Sequence, residues 1–225
     1  SFTDMVPGVK YFIAEEQRVN WMQSYPKTGV ADAKEYAGKG WGYEVTLTPA
    51  QVDSGNDFGN WTTATKSGMK FHDLDADGAK DAGEPGLAGW TIYVDYDNDG
   101  VLDAGEPSAV TAADGTYTIT GIVPGTWRVK EVAQAGWTQS YPTSGYHEET
   151  FVSNADLTGN DFGNYQLVTK SGYKWHDRDA DGTWDTGEPG LENWKIFVDL
   201  DNDTVWDEGE PFDLTDGTGY YEITG

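Results

Sequence analysis

Apolar side chains recur at every second position in short runs along this chain. Residues 90–95 (WTIYVD) and 194–199 (WKIFVD) alternate in this way, the pattern of a strand with one face buried. TYTITG ending at Gly121, TWRVKEV from Thr126, EETFVS from Glu148 and YEVTLT from Tyr43 are further short runs rich in β-branched and aromatic residues. Asp114-Gly115 lies between two such runs and predicts a hairpin turn, because glycine supplies the positive φ. No capped stretch shows a 3.6-residue period. ADAKEYAGKG from Ala31 comes nearest, and its glycines argue against a stable helix. The pattern predicts an all-β chain of small sandwiches, each of about 100 residues.

The runs repeat. KSGMKFHDLDADGAKDAGEPGLAGW from Lys66 returns as KSGYKWHDRDADGTWDTGEPGLENW from Lys170, a period of 104 residues. VPG occurs at Val6 and Val123, QSYP at Gln23 and Gln139, and NDFGN at Asn56 and Asn160. Residues 1–65 therefore read as the C-terminal half of one repeat, 66–169 as a complete repeat and 170–225 as the N-terminal half of a third. The first half carries an insertion between Pro26 and Asn56. Two accounts fit termini that fall inside sandwiches: a window onto a longer tandem chain, which we favour, or subunits joined head to tail, residues 170–225 of one completing residues 1–65 of the next.

Four twelve-residue segments carry the candidate chemistry: DLDADGAKDAGE from Asp73, DYDNDGVLDAGE from Asp95, DRDADGTWDTGE from Asp177 and DLDNDTVWDEGE from Asp199. Carboxylates stand at positions 1, 3, 5, 9 and 12, the ligand order of an EF-hand loop, with a backbone carbonyl expected from position 7. The expected ligands are Asp73, Asp75, Asp77, Ala79, Asp81 and Glu84 in the first loop, and Asp95, Asp97, Asp99, Val101, Asp103 and Glu106 in the second. The third offers Asp177, Asp179, Asp181, Thr183, Asp185 and Glu188; the fourth offers Asp199, Asp201, Asp203, Val205, Asp207 and Glu210. Calcium takes six to eight hard oxygen ligands, and a chain wrapped round one ion presents alternate side chains inward. Magnesium, which keeps its waters, suits this layout less well. Position 6 needs a sharp turn; Gly78, Gly100 and Gly182 supply it, whereas Thr204 predicts strain and a weaker fourth site.

The loops lack the helices that flank a calcium sensor or a dockerin module. β-patterned segments precede them, and Glu84, Glu106, Glu188 and Glu210 are each followed by proline, which disfavours helix in the preceding residue. They read as struts that tie entry and exit strands together.

Net charge then has an address. The chain holds 14 basic and 39 acidic residues, −25 overall, and twenty of those acids occupy ligand positions. Four calcium ions would bring the total to −17. So acidic a surface excludes nucleic-acid or anionic-membrane binding driven by basic patches. Cysteine is absent, which excludes disulfides, thiolate metal sites and cysteine nucleophiles, and no apolar run is long enough to span a bilayer.

The series GxKFHDxDADGxxDxGEPGLxxWxIYVDxDNDGxxDxGEP, DGTYTITGIVPGTWRVKE, GWTQSYP and a closing strand ending GNDFGN resembles the SdrD B-like domain, a calcium-binding relative of the Cna B-type sandwich. The resemblance implies tandem immunoglobulin-like or prealbumin-like β-sandwiches in a secreted or surface-anchored protein, serving as stalk, spacer or fibre module. Some Cna B-type domains also join a first-strand lysine to a last-strand Asn or Asp by an amide bond, assisted by a glutamate. Carried onto this chain, that implies Glu131 with Lys70 or Lys174, and Asn160 or Asp161.

The remaining candidates are weaker. His72, His176 and His147 lack the partners of a triad or histidine metal site and read as surface strand residues; no phosphate loop is present, and an enzyme is not expected. Trp90, Trp194, Trp21 and Trp137 read as core or junction packing. Trp41 in the insertion is the candidate for stacking on a surface glycan. Asn60 and Asn202 head formal glycosylation sequons, Asn202 a poor one inside a metal loop. The expected function is a calcium-stabilised module of an extracellular filament, stalk or surface layer, with further copies of itself as partners. The alternative is an adhesin segment presenting a ligand- or carbohydrate-binding surface.

Overall fold

Parallel pairing between the first and last strands organises the central sandwich. In the computed structural model, which describes residues 4–224, those residues form eighteen strands and no helix. The chain divides into two compact units, one running to Val132 and including Gln139–Asn164, the other comprising Ala133–Thr138 and the chain from Tyr165.

The first unit begins with β1 (Lys10–Ile13), β2 (Met22–Tyr25), β3 (Ala33–Glu35), β4 (Trp41–Thr46) and β5 (Gly59–Trp61). β4 lies between β1 and β3 in an antiparallel sheet, and β2 pairs with β5. The insertion is thus a hairpin, β3 turning into β4 through Gly38 and Gly40, both at positive φ. The glycines that argue against a helix make this turn.

Next come β6 (Ala64–His72), β7 (Thr91–Asp95), β8 (Ser108–Val110), β9 (Thr116–Ile122), β10 (Gly125–Glu131), β11 (Thr138–Tyr141), β12 (His147–Phe151), β13 (Asp156–Leu157) and β14 (Phe162–Tyr165). One sheet runs β12-β10-β7-β8. The other runs β11-β14-β6-β13, with β9 also on β6. Ile92, Val94, Val129 and Phe151 of the first sheet meet Tyr117, Ile119 and Phe162 of the second in one buried cluster. Tyr117 and Ile119 on β9 are buried in alternation with exposed neighbours, the two-residue period, and an irregularity at Gly121, at φ +82°, brings Ile122 to the core three residues on.

The turn at Asp114-Gly115 forms, with Gly115 at φ +84° and Ala112 N–H bonded to Thr116 O at 2.8 Å. It is not the turn of a paired hairpin, however. β8 leaves for β7 and β9 for β6, so the turn carries the chain from one sheet to the other.

In the second unit, β15 (Thr169–Tyr173) pairs antiparallel with β18 (Tyr220–Thr224), and β16 (Lys195–Phe197) with β17 (Phe212–Leu214). These pairs repeat β6 with β9 and β7 with β8. Of the recurring tryptophans, Trp90 is 2% exposed and belongs to the core, whereas Trp194 is 50% and Trp21 44% exposed. The expectation of core packing therefore holds for Trp90, while Trp194 and Trp21 lie about half exposed.

Candidate functional site

All four acidic segments adopt the same loop frame. The residue before each loop, His72, Val94, His176 or Val198, donates its N–H to the carbonyl of the proline that follows the loop, at 2.8 to 3.0 Å. The chain is thereby closed at the neck. Position 12 faces back to the start: Glu84 Oε1 accepts from Leu74 N–H at 2.7 Å and Oε2 from Asp81 N–H at 3.0 Å, and Glu106, Glu188 and Glu210 make the matching pairs. The position 1 aspartate accepts the N–H of position 6 at 2.8 to 3.0 Å in every loop.

Position 6 sits at φ +80° in Gly78, +82° in Gly100 and +81° in Gly182. Thr204 takes +69° at the same place. A β-branched residue is strained in this left-handed region, as expected from the sequence.

The carboxylates converge. Asp73, Asp75 and Glu84 offer oxygens within 4.8 Å of one another, as do Asp95, Asp97 and Glu106, and Asp177, Asp179 and Glu188. Asp75, Asp77 and Asp81 form a second group in the first loop, and Asp97, Asp99 and Asp103 in the second. Burial and the negative charge of Asp77 raise the Asp75 carboxyl above its ordinary value. Backbone N–H groups, that of Gly182 first, hold Asp177 low, and those led by Thr204 hold Asp199 low, so both stay ionised. Asp95 is fully buried, and its Oδ1 has no hydrogen-bond partner. Its Oδ2 accepts from Gly100 N–H and lies 3.9 Å from Lys130 Nζ, so Oδ1 is the buried oxygen that a hard divalent cation would satisfy.

A different cluster lies inside the central sandwich. Lys70 is fully buried on β6, its Nζ 3.1 Å from Glu131 Oε2 on β10 and 4.4 Å from the centre of the Trp90 ring. The same ammonium donates to Asn164 Oδ1 on β14, while Asn164 Nδ2 donates to Glu131 Oε1 at 2.7 Å. Amine, carboxamide and carboxyl close a triangle. Burial pulls the Lys70 amine down to about 8 against the opposing pull of Glu131, and burial raises the Glu131 carboxyl against Lys70 and Asn164.

The sequence reading placed Asn160 or Asp161 opposite Lys70, and this is corrected. Parallel pairing sets Phe162 opposite Lys70 and Asn164 opposite His72, so the lysine extends along the strand to Asn164. Asn160 O instead accepts from the Tyr117 hydroxyl at 2.5 Å, and Asp161 Oδ1 from Met69 N–H at 2.8 Å. Lys66 is a second buried amine the sequence did not reveal, paired with Glu149 Oε2 at 2.5 Å.

His147 also departs from the surface reading. It is half-buried between Tyr141 and Phe162, with Nε2 2.8 Å from Asp161 O. Trp41 is partly buried in β4 opposite Glu35, and its N–H donates to Gln23 Oε1 at 2.8 Å.

The SdrD B-like domain family matches residues 67–172. This segment is an SdrD B-like domain. Serine-aspartate repeat-containing protein D of Staphylococcus aureus strain Newman is 27% identical to the chain over 184 aligned residues, covering 66% of this chain and 14% of that protein. Serine-aspartate repeat-containing protein C of strain N315 is 27% identical over 137 residues, covering 56% of this chain and 14% of that protein. The chain thus spans about a seventh of the length of these relatives. Among solved structures, the minor pilin GBS52 of Streptococcus agalactiae superposes with a TM-score of 0.36 at 15% identity, covering 59% of this chain and 66% of that one. The Bacillus anthracis TIE protein gives 0.40 at 16% identity, covering 86% and 32%. These superpositions are too loose to carry residue correspondences. Among the described residues, no helix is long and apolar enough to cross a membrane.

Proposed function

We propose that the chain is a structural segment of an extracellular filament, stalk or surface layer, its sandwiches braced by calcium in the four acidic loops and by an amide bond between Lys70 and Asn164. The observation that carries the calcium reading is the single hydrogen-bonded frame shared by all four loops, with Asp95 Oδ1 left buried and unpaired inside one of them. The side chains of positions 1, 3, 5, 9 and 12 would hold the ion, with the carbonyls of Ala79, Val101, Thr183 and Val205. Bound calcium supplies positive charge and oxygen coordination at each loop neck. Each ion is worth about 1 to 4 kcal/mol when free calcium exceeds the dissociation constant some five- to thousand-fold. Domains with such braces resist unfolding and suit a load-bearing chain outside the cell.

The amide bond is supported by the Lys70, Asn164 and Glu131 triangle. The Lys70 amine attacks the Asn164 carboxamide carbon, Glu131 passes the proton, and ammonia leaves, so no oxidant is needed. Two measurements test the proposal. Melting in calcium against melting in excess EDTA is expected to differ by 10 °C or more, on the order of a few kcal/mol for domains of this size. Equal melting temperatures would refute the calcium braces. Intact mass is expected to fall one ammonia below the sequence mass, and an unchanged mass would refute the amide.

A further inference from the structure

The four loops share a frame but not their neighbours. At position 8, Lys80 Nζ donates to Glu84 O at 2.7 Å, Trp184 Nε1 to Glu188 O at 3.1 Å and Trp206 Nε1 to Glu210 O at 3.2 Å. Each of these side chains clasps the end of its own loop. The second loop has Leu102 at this position, which has no donor to offer.

The second loop receives a cation from outside instead. Lys130 stands on β10 opposite Tyr93, two residues before Asp95 on the same face of β7. Its Nζ lies 3.9 Å from Asp95 Oδ2, with Asp95 fully buried and the lysine side chain 23% exposed. The ammonium reaches so far over the loop that a Cβ on Gly100 would come within 2.8 Å of it. Gly100 thus serves the turn at position 6 and also makes room for Lys130. Among the described residues, no ammonium pairs with Asp73, Asp177 or Asp199, the position 1 aspartates of the other loops. In the first loop, the Lys80 ammonium binds the backbone carbonyls of Asp81 and Glu84 and makes no ion pair with a ligand carboxylate. There Gly78 lies against an uncharged wall, Ser140 O on β11, 3.4 Å from where its Cβ would be.

We infer that Lys130 stands in for the ion of the second loop: its ammonium holds Asp95 when no metal is bound and has to be displaced when calcium enters. This rests on the reading of the acidic loops as calcium sites and makes the two loops of the complete sandwich unequal. A divalent ion on Asp95 would stand a few ångströms from the ammonium, a repulsion that changes affinity on the order of tenfold at a dielectric near that of water. Asp95 Oδ1, which Lys130 leaves unpaired, is the oxygen through which the ion competes. The division suits the strands each loop joins. The first loop links β6 to β7 across the two sheets, whereas the second links β7 to its neighbour β8 within one sheet. The link within one sheet keeps a brace when calcium falls, because the lysine returns to it.

The test titrates calcium into the isotope-labelled 225-residue chain and follows the amide signals of Gly78 and Gly100, one for each loop of the complete sandwich. Lys130→Gln is expected to lower the calcium concentration at the Gly100 midpoint on the order of tenfold and to leave Gly78 where it was. Lys130→Arg, which keeps the charge, should stay near the wild-type midpoint. Lys34→Gln, which removes the same charge from β3, should move neither signal. In EDTA, Lys130→Gln is expected to melt below the wild type, since Asp95 then has no cation, and calcium should close the difference. The inference is overturned by a Gly100 midpoint that stays or rises in Lys130→Gln, by a shift that Gly78 shares or Lys34→Gln reproduces, or by equal melting in EDTA. Loss of the fold in calcium as well as in EDTA overturns it too, because Lys130 would then be a general structural residue. If neither glycine responds to calcium in the wild type, the calcium reading fails and takes the stand-in with it. A Gly100 signal that responds but is blind to Lys130 sinks the stand-in alone.

Discussion

Lys70 is an amine whose surroundings work against its charge. Burial lowers it to about 8 and raises Glu131, so the neutral pair needed for attack is far closer in energy than in water. Between the two titrations the pair holds one proton wherever it sits, and the fraction in the neutral form is constant. Above about 8 that proton leaves and Glu131 has none to pass on. The rate of ammonia loss after refolding should therefore be level near neutrality and fall as pH rises past 8, followed by mass against time; a rate that climbs instead would mean that Lys70 reacts without Glu131. Asn164→Ala should keep the full mass and lose about 4 kcal/mol of stability, the scale of a covalent tie closing a chain loop of this length. Thr204 makes the other argument at this scale. Its φ of +69° costs about 1 to 2 kcal/mol in a residue other than glycine, against about 0.5 to 1 kcal/mol of extra unfolded-state freedom for glycine. Thr204→Gly is thus expected to raise the denaturation midpoint of the second unit, and Gly182→Thr to lower it. Both the acidic loop frame and the strain at position 6 were legible in the sequence because a twelve-residue spacing is a local property. Asn164 was not, because the partner of Lys70 depends on the register between strands some ninety residues apart. The alternation running back from Asn164 through Phe162, which puts both on one face, was the available signal.

At the scale of elements, the two-residue period located β7, β9, β10, β12 and β16 but not the sheets they join. Asp114-Gly115 shows why. The turn chemistry is fixed by two residues, whereas the choice between hairpin and crossover is made by the core, which draws β8 to β7 and β9 to β6. The parallel β6 and β14 pair is held by close approach as well as by hydrogen bonds. A Cβ on Gly163 would come within 2.5 Å of the Phe71 ring and 2.9 Å of Ser140 Oγ, with β11 on the other side. Gly163→Ala is therefore expected to cost about 1 to 3 kcal/mol by overpacking, read from the denaturant midpoint. It should also slow formation of the Lys70–Asn164 amide, because Asn164 is the next residue on the displaced strand. A variant with normal stability and normal amide formation would show that the strand can shift without loss.

For the whole molecule, the charge of −25 is concentrated rather than spread, since twenty acids occupy the ligand positions of four loops. Within the loops from Asp73, Asp95 and Asp177 like charges stand within 4.8 Å, well inside the screening length of about 8 Å at physiological ionic strength. If crowding of carboxylates is what calcium relieves, monovalent salt relieves part of it by screening, though it coordinates nothing. Raising sodium chloride from about 0.02 to about 0.5 M shortens the screening length from roughly 20 to roughly 4 Å. In EDTA, the melting temperature should then rise with salt, and the gap between the calcium and EDTA samples should narrow without closing. Magnesium at equal concentration should recover less than calcium, because it keeps its water shell and uses fewer of the five carboxylates. A gap independent of salt would mean that repulsion contributes nothing and that coordination geometry alone sets the effect. A gap abolished by salt would mean the reverse, leaving the loops as acidic turns with no need of a bound ion.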